Sequence, residues 1–508
     1  MIHDEGAVGE ILSDAEERFS RRRAQAGLLL GPALGVLIFF WPAPLSAQGH
    51  ALSAILALVG TYWICEPIPI SATALLGAAL CVLLGVDSAK NIFAPFAHPL
   101  IFLFIGSFFL AKSMSTHGLD RRIASSVLAW RFVRGHPARV MLAFGGLTAF
   151  LSMWISNTAA TAMMFPIALG LIRSLNAGRR YACGLMLMAA YASSVGGLAT
   201  PVGTPPNLIG IGFIAEQAGV RITFFQWMLI GVPLTAVMFA VLFSLLYVLH
   251  PAGGHLPPSP LPSPARGGRG ENTETGAASP LWSAGERNTL AAFGLAVSLW
   301  ILPGAIGLAC GSGSPAFKWI DARLNESVVA LLAGCLLFLM PLDRRFERMT
   351  FTWRDAAGID WGTILLFGGG LSLGDQMFKT GVAQALGGGL TRILDVHTLW
   401  PITGLSIGMA IVLSELTSNT AAASMVIPVA MAVAKEAGVP LLPPALGACL
   451  GASYGFCLPV STPPNAIVYG SGLVPITKMV RAGILFDVIG FFTLWLGLFV
   501  LCPLLGLA

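Results

Sequence analysis

Two short polar strings stand at matched places in otherwise apolar sequence: Leu151-Ser152-Met153-Trp154-Ile155-Ser156-Asn157-Thr158-Ala159-Ala160 and Leu413-Ser414-Glu415-Leu416-Thr417-Ser418-Asn419-Thr420-Ala421-Ala422. Each is followed by a second paired feature, Gly203-Thr204-Pro205-Pro206-Asn207 and Ser461-Thr462-Pro463-Pro464-Asn465. The serine hydroxyls, the Asn157 amide oxygen and carbonyls freed at a helix break form a hard, neutral oxygen cage. Such a cage suits an alkali ion better than a transition metal, and sodium is the natural candidate. The Asn157 amide nitrogen, the Thr158 hydroxyl and nearby backbone amides carry the opposite chemistry, toward an anion, and Asn419 with Thr420 repeat it. Two such half-sites facing one another would hold a ligand with two anionic ends. Ser152, Ser156, Met163 and Pro166 recur at the same offsets as Ser414, Ser418, Met425 and Pro428, which identifies a duplication.

The prolines dictate the elements that carry these groups. Proline lacks an amide donor and drives its predecessor out of helical geometry, so Thr204 and Thr462 are expected in unwound backbone between two half-helices. The first half-helix then ends in free carbonyls and the second begins in free amides, a cation side and an anion side of one break. Asn207 and Asn465 are expected to cap half-helices. Of the membrane-proximal ionisable residues Glu66, Lys112, Asp375, Lys379 and Glu415, only Glu415 lies within a polar string, and it is the one expected to have a functional partner.

With 56 % hydrophobic and 10 % charged residues and a mean hydropathy of +0.79, the chain cannot form a soluble surface. Its long, continuously apolar segments exclude a membrane β-barrel, whose strands alternate. The eight cysteines are scattered singly and read as small core residues, and the histidines show no zinc spacing. The net charge of +5 carries no signal for nucleic acid. No His or Asp pair accompanies the polar strings, so an intramembrane enzyme lacks its nucleophile and base. A channel would have no need of paired half-sites.

The arginine clusters set a topology by the positive-inside rule. With Arg21 to Arg23 in the cytoplasm, a polar tail at 1–26 precedes a first span at 27–47. Repeat 1 occupies 48–250, a Pro/Gly/Ser-rich flexible linker 251–287, and repeat 2 288–508. Residues 140–172 are too many for one span and too few for two, so they are expected to form a re-entrant helical hairpin with Ser156-Asn157-Thr158 at its tip. Residues 401–434 form its counterpart, and 182–214 and 442–470 are the broken helices. A polar tip at membrane depth must be surrounded by protein or a water-filled cavity. Following the basic loops places the hairpins on opposite faces, the N-terminus in the cytoplasm and the C-terminus outside. The fold class is thus an all-α polytopic membrane protein of about 11 transmembrane helices plus two re-entrant hairpins, an inverted-topology repeat. Neither hairpin and neither broken helix contains Lys or Arg. An anion there depends on helix ends, hydroxyls, amides and co-bound cations.

These paired strings and paired Thr-Pro-Pro-Asn breaks resemble the divalent anion/sodium symporter family, which carries dicarboxylates, citrate or sulfate. The similarity covers nearly the whole chain after the first span, with the linker as the clearest departure. It implies a homodimer in the bacterial inner membrane, each protomer having a scaffold and a mobile transport part that moves as an elevator. It implies one sodium at Ser152, Ser156, Asn157 and Gly203, and another at Ser414, Thr417, Asn419 and Ser461. It further implies substrate contacts from Asn157, Thr158, Thr204, Pro205, Asn419, Thr420, Thr462 and Pro463. The expected function is sodium-coupled import of C4 dicarboxylates such as succinate, fumarate or malate, with no cofactor beyond the coupling ion. Sodium-independent carboxylate exchange and sodium/sulfate symport are the alternatives.

Overall fold

The computed structural model describes residues 14–128, 136–175, 177–252, 282–311 and 314–507, and these fold into α-helices joined by short turns. Most of the expected linker, with Arg131 and Arg134 of the basic loops, lies outside the described residues. Among the described residues five stretches are long and apolar enough to cross a membrane: Ala89–Thr116, Phe224–Leu249, Ala284–Cys310, Leu399–Leu416 and Ile476–Leu504. Shorter apolar helices, among them Ile70–Leu83, Pro137–Ser152, Glu326–Leu339 and Leu442–Gly451, accompany them.

The element boundaries follow local chemistry. The first helix runs Asp14–Phe39, starting inside the expected polar tail and ending eight residues before the expected limit. Pro42 and Pro44 follow it, and Ser46 then caps the next helix, Ala47–Cys65, by accepting from Gly49 N. The first helix of the second half likewise begins earlier than expected, at Ala284, because Ser283 and Glu286 form a reciprocal capping box.

Helix order repeats between the halves in more detail than the polar strings alone predict. Short helices Ala89–Phe93 and Trp353–Ala357 precede Pro99–Thr116 and Trp361–Lys379, and Leu119–Leu128 and Val382–Leu394 follow them. The halves also interlock reciprocally. Helix Pro99–Thr116 packs on Glu326–Leu339, while Trp361–Lys379 packs on Ile70–Leu83. Glycines allow both approaches: a Cβ on Gly106 would fall on the Ala330 carbonyl, and one on Gly369 would lie 2.6 Å from the Ala74 Cβ. These are the Gly-rich segments that the sequence carries before each hairpin.

The core sits in the broken spans. Every residue from Tyr181 to Gly197 is buried, as is every residue from Leu442 to Gly451. A helix buried on all faces needs no polar side, which is why these segments are apolar all round. The Tyr191 hydroxyl, in the first, donates to the Phe456 carbonyl at 2.6 Å, beyond the second.

Candidate functional site

Each polar string folds as a helix-turn-helix. Helices Pro137–Ser152 and Asn157–Ser174 form the first and Leu399–Leu416 and Asn419–Glu436 the second. The two tips match at the serine that starts the second arm, although Pro137–Ser152 ends four residues before Ser156 and Leu399–Leu416 only two before Ser418. Ser156 has φ −60° and ψ 145° and accepts from Ala159 N, and Ser418 has φ −63° and ψ 146° and accepts from Ala421 N. Both serines are therefore N-caps, and each starts an 18-residue helix whose positive end lies at the tip.

Inside each tip the same side-chain bond recurs. Ser152 Oγ lies 2.8 Å from Asn157 Oδ1, and Ser414 Oγ lies 2.7 Å from Asn419 Oδ1. The tips differ in cover, since Ser156 and Thr158 are exposed in the first whereas Thr417 and Thr420 are buried in the second.

The broken spans are also matched. Arg179–Gly197 and Pro205–Ala218 flank the first break, and Leu442–Gly451 and Pro463–Tyr469 the second. Thr204 has φ −147° and ψ 144° and Thr462 φ −147° and ψ 145°, extended backbone before paired prolines. Neither threonine uses its side chain as a cap. The Thr462 hydroxyl is buried without a hydrogen-bond partner.

Asn207 and Asn465 have a role other than simple capping. Asn207 Nδ2 donates to the carbonyls of Gly197 at 2.8 Å and Thr200 at 2.7 Å, and Asn465 Nδ2 to those of Gly455 at 2.8 Å and Leu458 at 3.0 Å. Each asparagine thus reaches back across its break and consumes carbonyls that the proline argument leaves free. Replacing Asn207 with leucine is expected to destabilise the protein by about 1–3 kcal/mol per carbonyl stranded. A thermal melt of the purified variant in detergent checks this.

Two glycines without a role in the sequence reading organise the half-sites. A Cβ on Gly197 would lie 2.5 Å from Asn157 Oδ1 and 3.2 Å from the Thr204 Cβ, and a Cβ on Gly203 would lie 2.6 Å from the Gly197 carbonyl. Asn157, Gly203 and Thr204 therefore converge on Gly197. In the second half a Cβ on Gly455 would lie 3.1 Å from both the Ser414 carbonyl and the Ser461 Cβ, and 3.3 Å from the Thr462 Cγ2. The signal for this pair was available: each glycine stands ten residues before its Thr-Pro-Pro-Asn asparagine.

Not every expected ligand group points inward. The Thr417 hydroxyl donates to the Trp63 carbonyl at 2.6 Å, and the Ser461 hydroxyl lies 2.7 Å from Glu415 Oε2. Both hydroxyls thus donate to groups outside the paired Ser-Asn contact. Pro205 is partly buried and Pro463 exposed beside the threonines.

Each second helical arm packs across the halves. Asn157–Ser174 packs on Pro463–Tyr469, and Asn419–Glu436 on Pro205–Ala218. The Cys449 thiol, donating to the Pro206 carbonyl at 3.0 Å, ties one broken span to the other. Two helix N-termini and two proline breaks are thereby brought into one packed unit.

Comparison with known proteins identifies the family. The family described as the sodium:sulfate symporter transmembrane region matches residues 23–506. The sodium-dependent dicarboxylate transporter SdcS of Staphylococcus saprophyticus is 33 % identical over 491 residues, covering 94 % of this chain and 91 % of its own. An uncharacterised transporter of Haemophilus influenzae is 32 % identical, covering 93 % and 96 %. Among solved structures, the YdaH transporter of Alcanivorax borkumensis aligns over 96 % of this chain and 97 % of its own, with a TM-score of 0.54 and 16 % identity, a likeness of fold. The chain is an all-helical integral membrane transporter, not an enzyme, and it belongs to the sodium:sulfate symporter family.

Proposed function

We propose that the protein is a sodium-coupled symporter that imports C4 dicarboxylates such as succinate, fumarate or malate. The reading rests on the paired tips, in which Ser152 with Asn157 and Ser414 with Asn419 repeat one bond. Asn157, Asn419, Thr158, Thr204, Thr420 and Thr462, with Pro205 and Pro463 alongside, meet the two carboxylates of the substrate. One sodium sits among Ser152, Ser156, Asn157 and Gly203, and the other among Ser414, Thr417, Asn419 and Ser461. With no Lys or Arg within 140–172, 182–214, 401–434 or 442–470, the cations supply the charge that holds the dianion. They also offset its movement against a negative-inside potential, about 2.3 kcal/mol per charge per 100 mV. The names of the staphylococcal relatives favour a dicarboxylate over sulfate.

In this reading the halves at 48–250 and 288–508 are inverted repeats and the hairpins re-enter from opposite faces. The protein is a homodimer in the bacterial inner membrane, with its N-terminus in the cytoplasm and its C-terminus outside. Each protomer carries its site by an elevator movement. Arg221 to Glu326 at 2.7 Å and His98 to Glu216 at 3.3 Å tie the end of the first broken span to other helices. They are contacts that the movement would break and remake. Succinate uptake by the purified protein in proteoliposomes is expected to fall to background when choline replaces sodium. Uptake unchanged in choline would overturn the symporter reading in favour of exchange.

A further inference from the structure

The two halves differ electrically. Glu415 occupies, in the second hairpin, the place that Met153 takes in the first, at the same spacing from the tip asparagine. Its Oε2 lies 2.7 Å from Ser461 Oγ and its Oε1 accepts from Cys457 N at 2.8 Å. Glu415 therefore clamps the second proline break onto the second hairpin. The Cys457 thiol in turn lies 3.0 Å from Asp487 Oδ2, on the last helix. Ligand atoms of Glu415, Cys457 and Asp487 all lie within 4.8 Å of one another.

Asp487 is only 7 % exposed, and its Oδ1 has no hydrogen-bond partner. The fully buried Tyr454 hydroxyl, on the segment that joins the two half-helices of this span, also lacks one. Tyr191, Tyr454 and Cys457 are the titratable groups that face the pair from the packed elements. Among the described residues neither carboxylate has a Lys or Arg partner. Nothing comparable exists in the first half, since neither the first hairpin nor helix Phe224–Leu249 contains Asp or Glu. Buried charge persists where it is paired or faces a cation.

We propose that Glu415 and Asp487 supply the counter-charge for the cation of the second half-site, which therefore fills first and more tightly than the first. Glu415 is also the positioning residue of that site, holding Ser461 and the break in place. The inference rests on the sodium-coupled reading above. It adds to that reading an order of cation binding and two residues that the paired motifs do not contain.

The test measures succinate uptake in proteoliposomes as a function of sodium for the wild type, Glu415→Gln, Glu415→Asp and Asp487→Asn. It is accompanied by sodium-induced thermal stabilisation of each purified protein without succinate. Both neutral variants are expected to need about tenfold more sodium for half-maximal uptake, the size of one charge acting over roughly 10 Å at an effective dielectric near 20. Both should lose most of the sodium-induced shift in melting temperature. Glu415→Asp, which keeps the charge and shortens the side chain, should stay near the wild-type sodium requirement with a lower maximal rate. A purely structural role predicts the reverse, with Gln close to wild type and Asp impaired. Should Glu415→Gln not be recovered folded, Asp487→Asn leaves the hairpin contacts intact and carries the same expectation. An unchanged sodium requirement in the neutral variants of a sodium-dependent wild type overturns the inference and leaves the symporter reading standing. A wild type indifferent to sodium removes the symporter reading itself.

Discussion

Replacing either tip asparagine with alanine should abolish transport while leaving the fold intact. Asn157→Ala removes an amide oxygen bonded to Ser152 and the amide nitrogen proposed to meet the substrate, and Asn419→Ala does the same beside Ser414. Hydrogen bonds to charged groups are worth about 1.5–3 kcal/mol each, so losing one cation contact and one anion contact should cost uptake about a hundredfold or more. The helices themselves should survive, because Ser156 and Ser418 still cap them and alanine is the better helix former. Uptake in proteoliposomes, read beside the size-exclusion profile and thermal melt, checks this. Wild-type uptake in either variant would remove the proposed site.

Gly197→Ala should have nearly the same effect from outside the polar string. Its methyl group would stand 2.5 Å from Asn157 Oδ1, closer than carbon and oxygen pack without a bond. Asn157 must then leave its bond with Ser152. Gly197 ends a half-helix and does not have positive φ, so the backbone itself accepts alanine. The variant should be folded but inactive, with a melting temperature lowered by the overpacking and the stranded Ser152 hydroxyl. Gly455→Ala, with its nearest neighbours at 3.1 Å, should retain part of the activity. The measurement is again uptake beside thermal stability. A fully active Gly197→Ala would mean that Asn157 Oδ1 is not needed where the structure puts it.

Much of the site was legible because its causes are local. A serine before an asparagine caps a helix within three residues, and paired prolines unwind the residue before them, so the tips and the extended Thr204 and Thr462 follow from sequence alone. The helix starts at Asp14 and Ala284 are not legible in composition, because charged residues there join a helix that composition treats as tail or linker. Asn207 and Asn465 were read as caps because their reach back across the break, to carbonyls seven and ten residues earlier, depends on how the break folds.

The sequence by itself determined that this is a helical membrane transporter with two matched polar half-sites. A bilayer admits apolar segments of this length only as helices with satisfied backbones, and the duplicated strings are written in the chain. The tertiary structure alone decided which groups are spent and which remain. It sends the Thr417 hydroxyl to Trp63, 354 positions away. It joins Glu415 through Cys457 to an aspartate on the last helix, and seats each hairpin arm against the opposite broken span. Sequence periodicity reports neighbours within a few residues, whereas these partners meet only when the whole chain packs.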